Sequence, residues 1–188
     1  MAIKIFIDQG HNPGNPNAGA EGNGLREQVL VYEIGRRLAV LLNNDPNYTA
    51  RLSRNSPTES LGTSNASSLA ARVNAANSWG ADYFISLHAN ASSIESASGS
   101  EAFVYSLGSV ADGFARAVLT GVTDITGLQN RGVSARPTLY VLRRTRMPAV
   151  LVELGFITNP GDAALMSEQP ELFARGLYNG IKTYFGTT

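Results

Sequence analysis

The sequence alternates between short apolar runs, typical of buried strands, and longer segments with the apolar spacing of amphipathic helices. Strands are predicted at residues 3–8, 48–54, 82–88, 100–107, 139–143 and 147–156. Helices are predicted at residues 25–43, 66–79, 109–126, 162–166 and 170–185. Such alternation indicates helices packed on a largely parallel sheet. We therefore expect an α/β fold: a single three-layer domain over residues 1–188, with a mostly parallel twisted sheet of about six strands flanked by helices.

The composition excludes several classes of function. Lysine plus arginine and aspartate plus glutamate number 15 each, so no net charge attracts nucleic acid or an anionic membrane. No stretch approaches about 18 uninterrupted apolar residues, so no membrane-spanning helix is expected. The N-terminal residues are predicted to form a strand and not a signal peptide. Because the chain has no cysteine, any bound metal must be held by histidine and oxygen ligands.

A glycine-rich loop, QGHNPGNPNAGAEGNG (residues 9–24), follows the first predicted strand. Gly24 is followed by leucine and arginine where a Walker loop requires lysine and serine or threonine. Glu27 stands where the dinucleotide-binding fingerprint requires its third glycine, so the loop matches neither nucleotide-binding motif. The loop instead carries His11 near its start and leads to Glu27 in the first turn of the long helix. The positive end of the helix dipole favours an ionised carboxylate there.

The chain has only two histidines, and each stands where an apolar run changes to a polar loop. His11 follows the first predicted strand, and His88 ends the strand within FISLHANAS (residues 84–92). Ligands of open α/β sheets bind at the carboxyl ends of the strands. Two histidines and one glutamate are a standard ligand set for catalytic zinc, which keeps one position for water. Each residue alone is often structural, but together they predict a site for one Zn²⁺ with His11, Glu27 and His88 as ligands.

Six separated segments carry motifs whose order and spacing point to one family. They are IFIDQGHNPG, GLREQ, ANSWGADYFISLHANAS, GSEAFVY, NRGVSARPTLYVLRRTRMPAVLVELGFITNP and GLYNGIKTYF. Together they resemble the catalytic domain of the zinc-dependent N-acetylmuramoyl-L-alanine amidases of the type-3 family, which are peptidoglycan hydrolases. The resemblance implies zinc ligands at His11, Glu27 and His88, the same three residues, and a catalytic glutamate at Glu153. One departure is Asn12, where the family usually has a glycine; it affects the loop beside the metal and not a ligand.

The resemblance also implies the reaction, which is hydrolysis of the amide bond between the lactyl group of N-acetylmuramic acid and L-alanine of the stem peptide. Zinc would polarise the carbonyl and lower the pKa of its bound water, and Glu153 would take the proton and pass it to the leaving amine. Glu101 matches a family acid and would orient a ligand or the substrate amine, unless it is simply an exposed strand carboxylate. Asn90 and Arg131 are candidates for substrate contact; the alternatives are a turn cap and a solvated arginine. Asp8 could hold a ligand histidine or bond loop amides, and the second role is expected.

Two other functions are compatible with these residues: a zinc peptidase or carboxypeptidase acting on wall peptides, and a non-catalytic wall-binding domain. The presence of Glu153 together with all three ligands favours an enzyme. The expected partner is peptidoglycan, with no nucleic acid and no membrane, and the expected state is a monomer. Since the substrate is the cell wall and no signal peptide is predicted, the protein is expected to be extracytoplasmic or released on lysis.

The connection between His88 and the next predicted strand is short. Some members of the family carry a long insertion here, and a helix within it covers the zinc site until a partner removes it. A helix of three turns already uses about 11 residues, whereas this connection is only ANASSIESASG, in which Ile94 is the one sizeable apolar residue. We therefore expect an open zinc site and an enzyme that needs no activator.

Overall fold

A six-stranded sheet forms the centre of the molecule in a computed structural model. The structure describes residues 1–187, and Thr188, the last residue of the predicted domain, lies outside the described residues. The strands are β1 (Ile3–Gln9), the two-residue β2 (Glu21–Gly22) and β3 (Leu25–Arg26), β4 (Tyr48–Leu52), β5 (Tyr83–Asn90), β6 (Ser100–Val104), β7 (Asn130–Ala135) and β8 (Ala149–Phe156). The main sheet has the order β4-β1-β5-β8-β6-β7, and β2 and β3 form a separate hairpin. Within the main sheet only β6 and β8 pair antiparallel. The predicted mostly parallel α/β fold is confirmed.

Helices cover both faces of this sheet, but unequally. They are α1 (Glu27–Asn43), α2 (Asn65–Trp79), α3 (Val110–Thr126), α4 (Tyr140–Arg144), α5 (Pro160–Glu168) and α6 (Pro170–Phe185). One face packs against α1, α3 and α6 in a large apolar core. The other face packs against α2 and the single-turn α4 in a smaller core. No helix among residues 1–187 is long and apolar enough to cross a membrane.

On the face covered by α2 and α4, the side chains of the parallel strands change from apolar to polar toward their carboxyl ends. In β1, Phe6 is followed on this face by Asp8; in β5, Phe84 is followed by Ser86 and then His88. The apolar residues near the start of each strand pack under the two helices. Of the polar residues beyond them, Asp8 and Ser86 are buried, whereas His88 at the end of β5 is only partly buried and belongs to the candidate site.

One predicted strand is wrong. Residues 139–143 were expected to be a strand, but they form α4, because only Val141 and Leu142 are buried while Arg143 on the same turn is exposed. The sixth strand is instead β7, a segment without an apolar run. An edge strand pairs on one side only and needs little apolar surface, so its sequence, NRGVSA, gives no periodic signal. The helix predicted from residue 25 starts at Glu27, since Leu25 and Arg26 belong to the hairpin.

Candidate metal centre and active site

The three predicted ligands lie together at the carboxyl ends of β1 and β5. Glu27 Oε1 is 3.2 Å from His11 Nε2 and 2.9 Å from His88 Nδ1. One ligand atom from each residue lies within 4.8 Å of the other two. The two histidines meet because β1 and β5 are neighbouring parallel strands, and Glu27 joins them as the first residue of α1.

Two glycines of the first loop allow this cluster to form. A Cβ atom on Gly10 would lie 2.5 Å from Cε1 of the His88 ring, and one on Gly19 would lie 2.8 Å from Oε2 of Glu27. Both distances are shorter than real carbon contacts, so any larger residue would displace the His88 ring or the Glu27 carboxylate. The glycine-rich loop therefore packs closely against two of the candidate metal ligands.

Glu27 is buried, with 4% of its surface exposed. Burial opposes its ionisation, but hydrogen bonds from His11 and His88 outweigh that effect and lower its pKa below the ordinary value. The backbone N–H groups of Ala20 and Ala89 also donate to its two oxygens, at 2.8 and 3.1 Å. A buried carboxylate that is held ionised between two imidazoles has the donor set and charge that a divalent cation such as Zn²⁺ requires.

Two further carboxylates continue the site across the sheet. Glu153 of β8 is the register partner of His88 on one side and of Glu101 on the other. Burial raises the pKa of Glu153, and the negative charges of Glu27 and Glu101 raise it further. The nearby His88 acts in the opposite direction, and the resulting pKa is about 7. Its Oε2 atom is buried and has no hydrogen-bond partner among residues 1–187. A carboxylate with a pKa near neutrality beside a metal site can serve as a general base.

A small cavity of about 130 Å³ lies beside the two histidines. Its apolar wall includes Leu69 of α2, Val141 of α4 and Leu151 of β8. The cavity lies on the thinly covered face of the sheet, beside two of the candidate metal ligands.

Comparison with known proteins agrees with this geometry. Residues 5–183 match the family model Amidase_3, described as N-acetylmuramoyl-L-alanine amidase. The chain belongs to this family. It is therefore an N-acetylmuramoyl-L-alanine amidase that acts on peptidoglycan, a component of the cell wall.

Individual relatives show the same similarity. The chain is 36% identical over 187 residues to the N-acetylmuramoyl-L-alanine amidase CwlM of Bacillus licheniformis, covering 97% of this chain and 69% of the relative. It is 35% identical to the sporulation-specific N-acetylmuramoyl-L-alanine amidase of Bacillus subtilis, covering 97% and 68%. Among solved structures it superposes on the catalytic domain of CwlV, an N-acetylmuramoyl-L-alanine amidase from Bacillus (Paenibacillus) polymyxa. That superposition has a TM-score of 0.86 at 28% identity and covers 99% of both chains.

Membership of this amidase family decides between the functions that the sequence left open. The peptidase and the non-catalytic wall-binding domain are not what the family description or these relatives indicate. The predicted amidase, its fold and its peptidoglycan substrate are confirmed.

The structure gives the other candidate residues specific contacts within the amidase. Asn90 donates from Nδ2 to Glu101 Oε1 at 2.7 Å, and its Oδ1 accepts from the N–H of Ala91. Arg131 lies on β7, donates to the carbonyl of Ser98 at 3.2 Å and stacks on the Phe156 ring. Asn90 thus holds Glu101 beside Glu153, whereas Arg131 is held at the β7 edge and not in the ligand cluster.

One residue near the ligands was missed by the sequence reasoning. Arg72 of α2 is 1% exposed and forms a buried ion pair with Asp8, at 2.7 Å between Nη1 and Oδ1. The prediction that Asp8 bonds loop amides is therefore wrong: its two carboxylate oxygens accept from Arg72 and from the Ser86 hydroxyl. The available signal was an arginine at the helical spacing of Leu69, Val73 and Ala76, the apolar positions of α2 that pack on the sheet, where a charge needs a partner.

Proposed function

We propose that this amidase uses one Zn²⁺ ion held by His11, Glu27 and His88, and that Glu153 is its catalytic base. The observation that carries the proposal is the convergence of three ligand atoms within 4.8 Å. The carboxylate with a pKa of about 7 on the neighbouring strand supports the assignment of the base.

Each residue has a distinct part in amide hydrolysis. When bound, Zn²⁺ supplies a Lewis acid and lowers the pKa of a water molecule. Glu27 contributes a negative charge, and the two histidines contribute neutral ring nitrogens. Glu153 takes the proton of the attacking water and then gives it to the amine of L-alanine as the amide bond breaks.

Glu101 and Asn90 set the properties of the base. The negative charge of Glu101 contributes to raising the pKa of Glu153. Asn90 keeps Glu101 in place through its 2.7 Å hydrogen bond. We propose that Glu101 acts on the base in this way and that Arg131 takes no part in the chemistry.

We further propose that residues 1–188 act as a single catalytic domain and as a monomer. All three candidate ligands and the candidate base come from one chain, so the site is complete without a second copy. Because the substrate is the cell wall, we propose that the enzyme acts outside the cytoplasm or after lysis.

The test is the activity of the purified chain on peptidoglycan before chelation, after chelation and after Zn²⁺ is added back. We expect activity to be lost with the metal and restored with it, and the products to be intact stem peptides with a new N-terminal L-alanine. Glu27→Gln should lose both metal and activity. Glu21→Gln is the matched control, since this exposed glutamate of the same loop lies outside the cluster. Full activity of the metal-free protein would refute the zinc assignment, and shortened stem peptides would indicate a peptidase.

A further inference from the structure

His11 lacks the contact that normally fixes a metal-binding histidine. Such a histidine usually donates its second ring N–H to a carboxylate or a carbonyl, and this bond orients the ring. Nδ1 of His11 is buried, and no group among residues 1–187 accepts a hydrogen bond from it. The backbone of His11 is also in the left-handed region, with a φ of 63°, which residues other than glycine seldom adopt. Something other than the ring must therefore hold this ligand.

The guanidinium of Arg72 holds the backbone of His11 and of the residues just before it. Its Nη2 donates to the carbonyl oxygen of His11 at 2.6 Å. Its Nη1 donates to the carbonyl oxygen of Gln9 at 2.5 Å and to Asp8 at 2.7 Å. One planar group reaching from α2 thus connects the end of β1 to the ligand that follows it.

Asn12 closes the loop from the other side. Its side chain is fully buried; Nδ2 donates to the carbonyl oxygens of Pro16 and Leu61 at 2.8 and 3.0 Å. Its Oδ1 accepts from the N–H of Leu61 at 3.0 Å and from Arg72 Nη2 at 3.2 Å. The same nitrogen of Arg72 therefore contacts both His11 and the residue after it.

The buried charge of Arg72 is balanced locally. Asp8 pairs with it and also accepts a hydrogen bond from the Ser86 hydroxyl at 2.8 Å. The arginine therefore adds a rigid set of donors beside the metal ligands, while its positive charge is neutralised by a carboxylate on β1.

We propose that Arg72 is a positioning residue of the metal centre. By binding the carbonyl oxygen of His11, it keeps the backbone of His11 in the left-handed conformation and so directs Nε2 of His11 toward Glu27 and His88. The inference rests on the proposed function in one respect, that His11 is a metal ligand. Groups that orient metal ligands typically contribute about 10- to 100-fold to metal affinity.

The deciding experiment measures the Zn²⁺ dissociation constant of the purified chain by competition with a chelator. Arg72→Lys keeps the charge that pairs with Asp8 but lacks the planar fork that reaches several acceptors at once. We expect its Kd for Zn²⁺ to rise about 10- to 100-fold, while the KM for peptidoglycan is unchanged and turnover recovers as Zn²⁺ approaches saturation. Asn12→Ala leaves the Arg72–Asp8 ion pair intact and should also raise the Kd for Zn²⁺.

The matched control is Asp162→Asn. Asp162 is also buried and accepts three hydrogen bonds, from Ser98, Gly99 and Phe156, but it does not contact a ligand. This variant should lower the melting temperature of the metal-free protein without changing the Kd for Zn²⁺.

The outcomes separate the two proposals. If the wild-type chain does not bind Zn²⁺, the proposed function is wrong. If the wild type binds Zn²⁺ but Arg72→Lys has an unchanged Kd and only a lower melting temperature, Arg72 is structural and the inference is wrong. If Arg72→Lys does not fold, Asn12→Ala decides, and an unchanged Kd in that variant overturns the inference.

Discussion

Replacing Glu153 by glutamine should have opposite effects on activity and on stability. The substitution keeps the size and shape of the side chain but removes the group that accepts a proton. In the zinc-loaded enzyme we expect turnover to fall by about 10²- to 10⁴-fold, which is the usual contribution of general acid–base catalysis. In the metal-free protein we expect the same substitution to be stabilising at alkaline pH.

The magnitude follows from the pKa of Glu153. Burial in the site raises it from 4.5 to about 7, a difference of about 2.5 units at about 1.36 kcal/mol each. A raised pKa means that the folded protein prefers the protonated form. The contribution of protonated Glu153 to the stability of the wild-type protein is therefore complete below pH 4.5 and is lost as the pH rises through 7. Glutamine does not titrate, so between about pH 4 and pH 8 the free energy of unfolding of the wild type should fall relative to the variant by at most about 3.4 kcal/mol.

The assay is urea unfolding of both proteins in the presence of a chelator, between about pH 4 and pH 8. Chelation is needed because a bound cation lowers the pKa of a nearby carboxyl group. Comparing the two proteins at each pH removes any effect of glutamine that does not depend on pH. A difference in unfolding free energy that stays constant with pH would refute the reasoning about Glu153. Near-normal turnover of the variant would mean that another group, Glu101 first, is the base.

Three further predictions concern the surroundings of the metal. Glu101→Gln removes a charge that raises the pKa of Glu153, so the acid limb of the pH–rate profile should shift to lower pH; an unchanged profile would contradict this role. Gly10→Ala places a Cβ atom 2.5 Å from the His88 ring, so equilibrium dialysis should show weaker Zn²⁺ binding, whereas wild-type affinity would show that the ring can move at no cost. Residues 89–99 contain no helix that could cover the site, and Ile94 is 64% exposed. The purified chain with Zn²⁺ should therefore digest peptidoglycan without a partner protein. An inert chain that becomes active when a partner is added would disprove the open site.

The sequence by itself determined the family of this amidase and the candidate residues of its site. His11 and His88 could be identified because strands end visibly in sequence, where apolar residues give way to polar ones. In a parallel sheet those ends meet at one edge. Glu27 could be added because the start of a long amphipathic helix is also visible, and Glu153 because the family resemblance named it. The signals for His11, His88 and Glu27 are local, whereas Glu153 came from the resemblance; the structure places the four residues together.

Only the tertiary structure decided what surrounds these residues. Whether residues 139–143 or 130–135 formed the sixth strand depended on pairing with β6, a long-range contact that outweighed the local apolar run. The contact of Arg72 with His11 joins residues 61 positions apart, and no local pattern encodes it. The pKa of Glu153 depends on burial and on charges that three different segments bring together. Electrostatic effects act through space, so their strength is known only once the chain has folded.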